Sequence, residues 1–243
     1  MTETDTTHAG LADAFDRAAS RYDLLTGLNP GYHRHLDAAA RLLADRLSSP
    51  PELLLDLGCG SGSSSVALLR RLRPERLVGI DASAGMLAQA RAKPWPDGVE
   101  FRQLPAEQLG ELDLPPADGA MAAYLLRNLD ATDRDAALAG ILAALRPGGW
   151  LVIQEYSVAG HRVAGLIWTL VCWLVVIPLS WVVRGSPGLY RYLWRSVREF
   201  DSTATLRDRL HRAGFTEIEQ FPVTGWQRGI LHTMLARRPE PKG

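Results

Sequence analysis

Residues 53–62 read LLLDLGCGSG. Leu53, Leu54 and Leu55 form a short apolar run that closes on Asp56, and Gly58, Gly60 and Gly62 then alternate with Cys59 and Ser61. A run of this kind suits a parallel strand covered on both faces. The glycines come where such a strand must turn sharply into a helix. Lacking Cβ atoms, they accept positive φ and let a ligand approach the backbone. The helix predicted over 63–73 then points unpaired N–H groups at that ligand. Asp56 is expected to meet a positive group or a hydroxyl there.

The spacing is G-x-G-x-G, which differs from the G-x-G-x-x-G of dinucleotide-binding turns, and the absence of G-K-[ST] excludes a P-loop. A second apolar strand, in RLVGIDAS, ends at Asp81, 25 residues after Asp56. A carboxylate in that place can take both ribose hydroxyls of a nucleoside. Strand, glycine turn, helix, strand and acid make one βαβ unit. Together these residues resemble the class I S-adenosylmethionine (SAM)-dependent methyltransferases. An unrelated Rossmann-like fold with a tight turn is the bland alternative. The resemblance implies an α/β, Rossmann-like fold. Its seven-stranded, mostly parallel sheet carries N-terminal lid helices and an apolar helical insertion between strands 5 and 6. It implies SAM as cofactor, bound by Asp56, Gly58, Cys59, Gly60, Ser61, Gly62, Asp81, Ala82, Met86, Pro105, Ala106, Glu107 and Ala123. One departure concerns Pro105, where the family usually has Asn or Asp to meet the adenine amino group. Proline has no donor to offer, so binding is expected to survive in weakened form, with the Ala106 N–H still in place.

The 243 residues favour one domain, or one domain with an appendage. Basic and acidic residues balance at 27 each, with no basic block, which argues against a nucleic-acid partner. Two cysteines, Cys59 and Cys172, cannot build a zinc site or a disulfide framework, and no metal is expected. The first ten residues, MTETDTTHAG, are polar with no apolar h-region, which places the chain in the cytoplasm. The organisation read from the pattern is a disordered tail (1–10), lid helices (11–48), a SAM-binding core (49–160), an apolar insertion (161–200) and the end of the core (201–238).

Beyond the glycine turn the resemblance narrows. FDRAASRYDLLTGLNPGYHRHL (15–36), Leu126-Arg127-Asn128-Leu129, LRPGGWLVIQEYS (145–157), Tyr190-Arg191-Tyr192-Leu193 and Ser196-Val197-Arg198 are similar to blocks of the UbiE/MenG-type ubiquinone and menaquinone C-methyltransferases. Leu125 and Ala123 replace that family's usual glycine and serine. The resemblance implies C-methylation of a polyprenyl quinol, with Arg127 as the catalytic group and Tyr22, His33 and Glu155 as lesser candidates. Against this, Arg127 reads blandly as a surface arginine pairing with Asp130 or Asp133. Rival functions are methylation of another lipid or apolar secondary metabolite, and a membrane-associated SAM-binding protein without turnover. A homodimer is compatible with the sequence.

Residues 163–183, VAGLIWTLVCWLVVIPLSWVV, hold 21 residues and no charge. That is long enough to span a bilayer, which takes about 20 apolar residues. Yet later strands must rejoin the same sheet, so a single crossing would separate them from it. Three readings stay open: monotopic insertion into the membrane surface, a greasy lid or pocket wall, and true spanning. Arg162 and Arg184 flank the segment, and Trp168, Trp173 and Trp181 suit an interface. Pro178 is expected to disturb its helix.

Overall fold

The computed structural model describes residues 31–47, 50–178 and 187–241. Seven strands form one sheet: β1 (Leu53–Leu57), β2 (Arg76–Asp81), β3 (Val99–Gln103), β4 (Ala117–Ala123), β5 (Leu145–Tyr156), β6 (Thr216–Pro222) and β7 (Leu231–Arg237). Their order is β3-β2-β1-β4-β5-β7-β6. β1 to β5 pair in parallel, while β7 runs antiparallel to both β5 and β6. Among the described residues, helices are α1 (Tyr32–Ala44), α2 (Ser63–Leu72), α3 (Ala84–Arg91), α4 (Ala131–Ala144), α5 (Arg162–Val171), α6 (Pro187–Glu199) and α7 (Thr203–Ala213). This is the fold expected from the glycine turn, with α5 to α7 between β5 and β6.

Alternation along each strand makes two cores. Leu54, Met121, Val152 and Leu235 face α1 and α2 on one side of the sheet. Leu53, Leu55, Leu57, Ala120, Ala122, Leu151 and Ile153 face α4 and α7 on the other. The central strands are buried on both faces, so their sequences read as apolar runs rather than alternations.

Helix ends follow local chemistry. The Ser83 and Ser202 hydroxyls accept from the N–H groups of Met86 and Thr205, and the Asp130 carboxylate accepts from those of Thr132 and Asp133, each satisfying N–H groups that the helix leaves open. Gly214 ends α7 at φ 103°. One boundary differs from the sequence pattern, which continues α4 to Arg146 and starts the strand at Trp150. Here α4 stops at Ala144 and β5 begins at Leu145. Pro147 disfavours helical backbone at Arg146, and Leu145 pairs with Ala117 instead.

The apolar segment forms α5 and a π-helical turn over Cys172–Val176. The turn lies just before Pro178, which has no N–H for the carbonyl four residues back and whose ring crowds it. None of the described helices is long and apolar enough to cross a membrane. β6 and β7 join the same sheet as β1 to β5. Trp168 is buried rather than interfacial, while Trp173 is half exposed; Trp181 and Arg184 lie outside the described residues, as do the tail and the first lid helix.

β2 lies tightly against its neighbours. A Cβ at Gly79 would stand 2.6 Å from the Phe101 ring and 3.0 Å from the Cys59 Sγ. Gly79→Ala is therefore expected to lower stability by about 1–3 kcal/mol. The measurement is urea unfolding: a reduced midpoint at unchanged slope supports this packing, and an unmoved midpoint refutes it.

Candidate active site

Strand order reverses between β1 and β4, and the crevice beyond their carboxyl ends is where open α/β sheets bind ligands. A cavity of about 380 Å³ opens there, walled by the segments that leave β1, β2, β3 and β4, within the span of about 300–1,000 Å³ usual for ligand sites.

The glycine turn is held open from β2. Gly58 and Cys59 donate their N–H groups to the Ile80 carbonyl at 2.8 and 3.0 Å. Gly60 donates to Asp81 Oδ2 at 2.8 Å, and Ser83 donates to Asp81 Oδ1 at 2.9 Å. Gly58, Gly60 and Gly62 all have positive φ, at 67°, 53° and 91°. A Cβ at Gly60 would come to 3.0 Å from Met86 Cε. Gly58, Cys59, Gly60, Ser61, Asp81, Ala82, Met86, Pro105, Ala106, Glu107 and Ala123 all line the cavity. Burial pushes the Cys59 thiol well up, which keeps it protonated and inert.

Two of the predicted binding residues stand elsewhere. Gly62 is the N-cap of α2, where a Cβ would strike the Trp95 ring at 2.7 Å. Asp56 is fully buried behind the turn and forms no part of the cavity wall. Its Oδ2 accepts from the Ser64 and Ser65 hydroxyls at 2.8 and 2.6 Å, and Oδ1 has no partner. Burial outweighs the two hydroxyls and raises the Asp56 carboxyl from 3.8 to about 6. The hydroxyl it was expected to meet thus belongs to the protein.

Arg127 lies on a 3-10 turn, Leu126–Asn128, directly after β4. Its guanidinium is 8% exposed and lines the cavity. Its partners are Glu155 and Asn128 rather than a surface acid. Nε stands 3.3 Å from Glu155 Oε1 without the alignment of a hydrogen bond, so this contact is one of charge. Nη1 donates to Asn128 Oδ1 at 2.6 Å, and the backbone N–H of Arg127 donates to Glu155 Oε2 at 3.2 Å. Glu155 is 2% exposed and stands behind Arg127, away from the cavity. Burial pushes its carboxyl up, against the pull of Arg127 and two backbone N–H groups. His33 is exposed on α1 and outside the cavity wall, while its neighbour Tyr32 lines it. Tyr22 lies outside the described residues.

Three features escape the sequence pattern. Arg134 of α4 donates to the Leu126 and Leu129 carbonyls at 3.1 and 2.8 Å and to Asp201 at 2.8 Å, clamping the turn that carries Arg127. Its signal was an arginine on the same helical stripe as Leu138 and Ile141. Second, Tyr32, Tyr124, Tyr156 and Trp168 stack in a column, with centroids 5.5, 4.9 and 5.6 Å apart. The column runs from the cavity to the inner face of α5. Third, Tyr124 holds φ at 58°, a strained value for a non-glycine residue. Gln154 Nε2 donates to its hydroxyl at 2.8 Å.

A doubly wound sheet with a glycine turn and a ribose-type carboxylate at its switch point defines a nucleoside-binding fold of the class I methyltransferase type. Solved structures with this fold include the N-methyltransferase NodS from Bradyrhizobium japonicum in complex with S-adenosyl-L-homocysteine, at TM-score 0.66 and 19% identity over 94% of this chain and 98% of that one. The [4+2]-cyclase SpnF reaches TM-score 0.65 at 18% identity, over 96% and 97% of the two chains, so the fold alone does not name a reaction. Sequence does. Residues 1–234 match the ubiE/COQ5 methyltransferase family, and the chain belongs to it. A demethylmenaquinone methyltransferase from Thermus thermophilus is 34% identical over 83% of this chain and 91% of its own length. A ubiquinone/menaquinone biosynthesis C-methyltransferase from Hahella chejuensis is 30% identical over 96% and 98%. The protein is a SAM-dependent methyltransferase.

The residues present fit SAM. Asp81 lines the cavity with both oxygens oriented by backbone N–H groups, and Cβ-free positions leave the backbone open to a ligand. Asp56 and Asp81 should therefore separate by experiment. Asp81→Asn is expected to weaken SAM binding about tenfold in isothermal titration, and Asp56→Asn to leave it within about twofold, since a lost hydrogen bond to a charged group costs about 1.5–3 kcal/mol. Asp56 instead acts on stability. Its raised value makes the folded state hold a proton that the unfolded chain releases, so this contribution is full below 3.8 and falls away as pH rises to about 6. The loss amounts to about 3 kcal/mol at about 1.4 kcal/mol per pH unit. Asp56→Asn should flatten that stretch of the stability–pH curve; a variant that keeps the wild-type slope would refute the assignment.

Proposed function

We propose that this enzyme methylates a ring carbon of a polyprenyl quinol, of the demethylmenaquinol type, at a membrane surface. The observation that carries the reading is Arg127, a cation fixed in the wall of the SAM cavity by a buried carboxylate. SAM supplies an electrophilic methyl group when bound. Asp81 would hold its ribose, and Met86, Pro105, Ala106 and Glu107 its base. The reaction otherwise asks the protein to align the acceptor and to favour its phenolate, whose charge makes the ring carbon nucleophilic. Guanidinium stays protonated in proteins, so Arg127 stabilises the phenolate as a fixed charge in a site largely shielded from water. Glu155 keeps that charge in place from behind. Tyr32 and Tyr124 offer flat apolar walls to an aromatic acceptor. The relatives whose printed names specify demethylmenaquinone support the acceptor class. A second reading, another apolar acceptor, draws on Leu125, which lines the cavity and packs against Gly58. It occupies space that the glycine of the related motif would leave open.

Arg127→Ala is expected to lower kcat/KM about 100-fold or more with SAM affinity unchanged; wild-type turnover in this variant would remove Arg127 from the mechanism. The acceptor itself is read by mass spectrometry of membrane lipids incubated with methyl-labelled SAM. Label in a prenylated quinone supports the first reading, and label in another lipid supports the second.

The membrane part of the reading rests on the outer face of α5 and the turn after it. Val163, Leu166, Ile167, Leu170, Trp173 and Leu174 are 37–72% exposed and recur at helical spacing, a contiguous apolar stripe of the kind that marks an interaction surface. Replacing Leu170 and Leu174 together with Glu should abolish co-sedimentation with anionic phospholipid vesicles while leaving SAM binding intact. Undiminished co-sedimentation would assign membrane contact to another part of the chain, and a wild type that stays in the supernatant would refute it altogether.

A further inference from the structure

The helix beside the apolar stripe carries a different chemistry. On α6, Arg191, Arg195 and Arg198 are spaced i, i+4 and i+7, which puts them on one helical face. All three are exposed, while Ser196, Val197 and Phe200 are buried on the opposite face. Contacts on the inner side fix the roll of the helix. Trp168 of α5 donates from Nε1 to the Trp194 carbonyl at 3.3 Å, and Trp194 donates from its own Nε1 to Thr169 Oγ1 at 3.2 Å. The Tyr192 hydroxyl donates to Asn128 Oδ1 at 3.4 Å. Among the described residues, no carboxylate forms an ion pair with any of the three arginines.

The arginine row and the apolar stripe are continuous. Trp173, in the turn after α5, meets the Trp194 ring edge-on at 5.8 Å, and the Arg198 guanidinium lies over that same ring at 4.8 Å. Apolar side chains thus pass through a pair of indoles into a row of cations. A bilayer presents its hydrocarbon, interface and phosphates in the same order. The chain as a whole has no net charge, so attraction to an anionic surface has to come from a local patch. Residues 162–200 supply one, with five arginines and a single acid, Glu199. The cations are therefore concentrated where the exposed apolar stripe lies.

We propose that α6 is a headgroup-binding face. Arg191, Arg195 and Arg198 bind the phosphates of anionic phospholipids while the stripe of α5 enters the hydrocarbon, so the enzyme selects negatively charged bilayers over zwitterionic ones. The inference rests on the membrane reading above and adds the class of lipid. Guanidinium forks match phosphate oxygens in pairs. Binding of such a surface scales with buried apolar area plus attraction to anionic lipid; α5 supplies the first and α6 the second. The contact of Arg198 with Trp194 keeps the cations at headgroup level when the indoles sit in the interface. Each arginine at an anionic surface strengthens binding about fivefold, so three give about 100-fold.

The test uses the full chain and two sets of vesicles, phosphatidylcholine alone and phosphatidylcholine mixed with phosphatidylglycerol, with affinity read by co-sedimentation. The wild type is expected to bind the mixed vesicles about 100-fold tighter in about 0.1 M salt. It should lose most of that preference in about 1 M salt, where the screening length falls from about 10 Å to about 3 Å. Arg191→Gln, Arg195→Gln and Arg198→Gln together should abolish the preference, with binding of phosphatidylcholine and of SAM kept within about twofold. Lys at the same three positions should retain it, because the attraction is one of charge; a loss that Lys does not repair, equal for both vesicles, overturns the headgroup face. So does a preference that survives the Gln variant. Should the triple Gln variant fail to bind SAM, Arg191→Gln with Arg195→Gln leaves the Arg198–Trp194 contact in place and decides: its preference falls to about fivefold, or the inference fails. A wild type that binds both vesicles equally overturns the headgroup face and leaves the membrane reading standing. A wild type that binds neither overturns both, and a dimer that Leu170→Glu with Leu174→Glu then splits would give the surface to a second copy of the chain.

Discussion

The hydrogen bonds that tie the glycine turn to the end of β2 are the constraint on which the site depends. Gly58 and Cys59 share the Ile80 carbonyl, and Gly60 binds the Asp81 carboxylate. These contacts close a loop of backbone in which every second residue has no side chain. They also fix Asp81 in its rotamer, since one oxygen faces Gly60 and the other faces Ser83. The same bonds therefore shape the turn and aim the acid. Three glycines at positive φ cost conformational entropy on folding, which parallel pairing of β1 with β2 and β4 offsets by burying all five residues of β1.

A second, independent clamp builds the other wall. Arg134 reaches from α4 to both ends of the 126–129 turn, and Glu155 reaches from β5 to its middle. Asp201 and the Phe200 ring brace the Arg134 guanidinium in turn. A buried charge is tolerable only when paired and hydrogen-bonded, and each of these is. The consequence is that Arg127 enters the cavity with little freedom to move. Preorganised charge of this sort needs no rearrangement when negative charge develops on an acceptor.

The column of rings from Tyr32 to Trp168 connects the cavity to α5, whose outer face is apolar and exposed while its inner face packs through Ala164, Trp168 and Cys172. One helix thus meets the core on one side and its surroundings on the other. That double role accounts for a segment whose sequence is apolar all round, where an ordinary surface helix would be apolar on one stripe only.

The strand-turn-helix unit, the acid that ends β2 and the block that carries Arg127 are legible in the chain itself. Each is a demand of local backbone geometry or of a motif contiguous along the chain, and such demands are written in neighbouring residues. Where the side chains point follows from packing instead. Asp56 reads as a ligand group in LLLDLGCGSG, yet the hydroxyls of Ser64 and Ser65, in the first turn of α2, take it inward. Glu155 reads as a catalytic candidate, yet Arg127 is 28 residues earlier and stands in front of it. The clamp from Arg134 to Asp201 joins residues 67 apart, and the bond from Tyr192 to Asn128 joins residues 64 apart. Such partners are set by packing of the sheet and its helices, because a buried polar group takes whichever partner the fold brings near, and no local pattern records that choice.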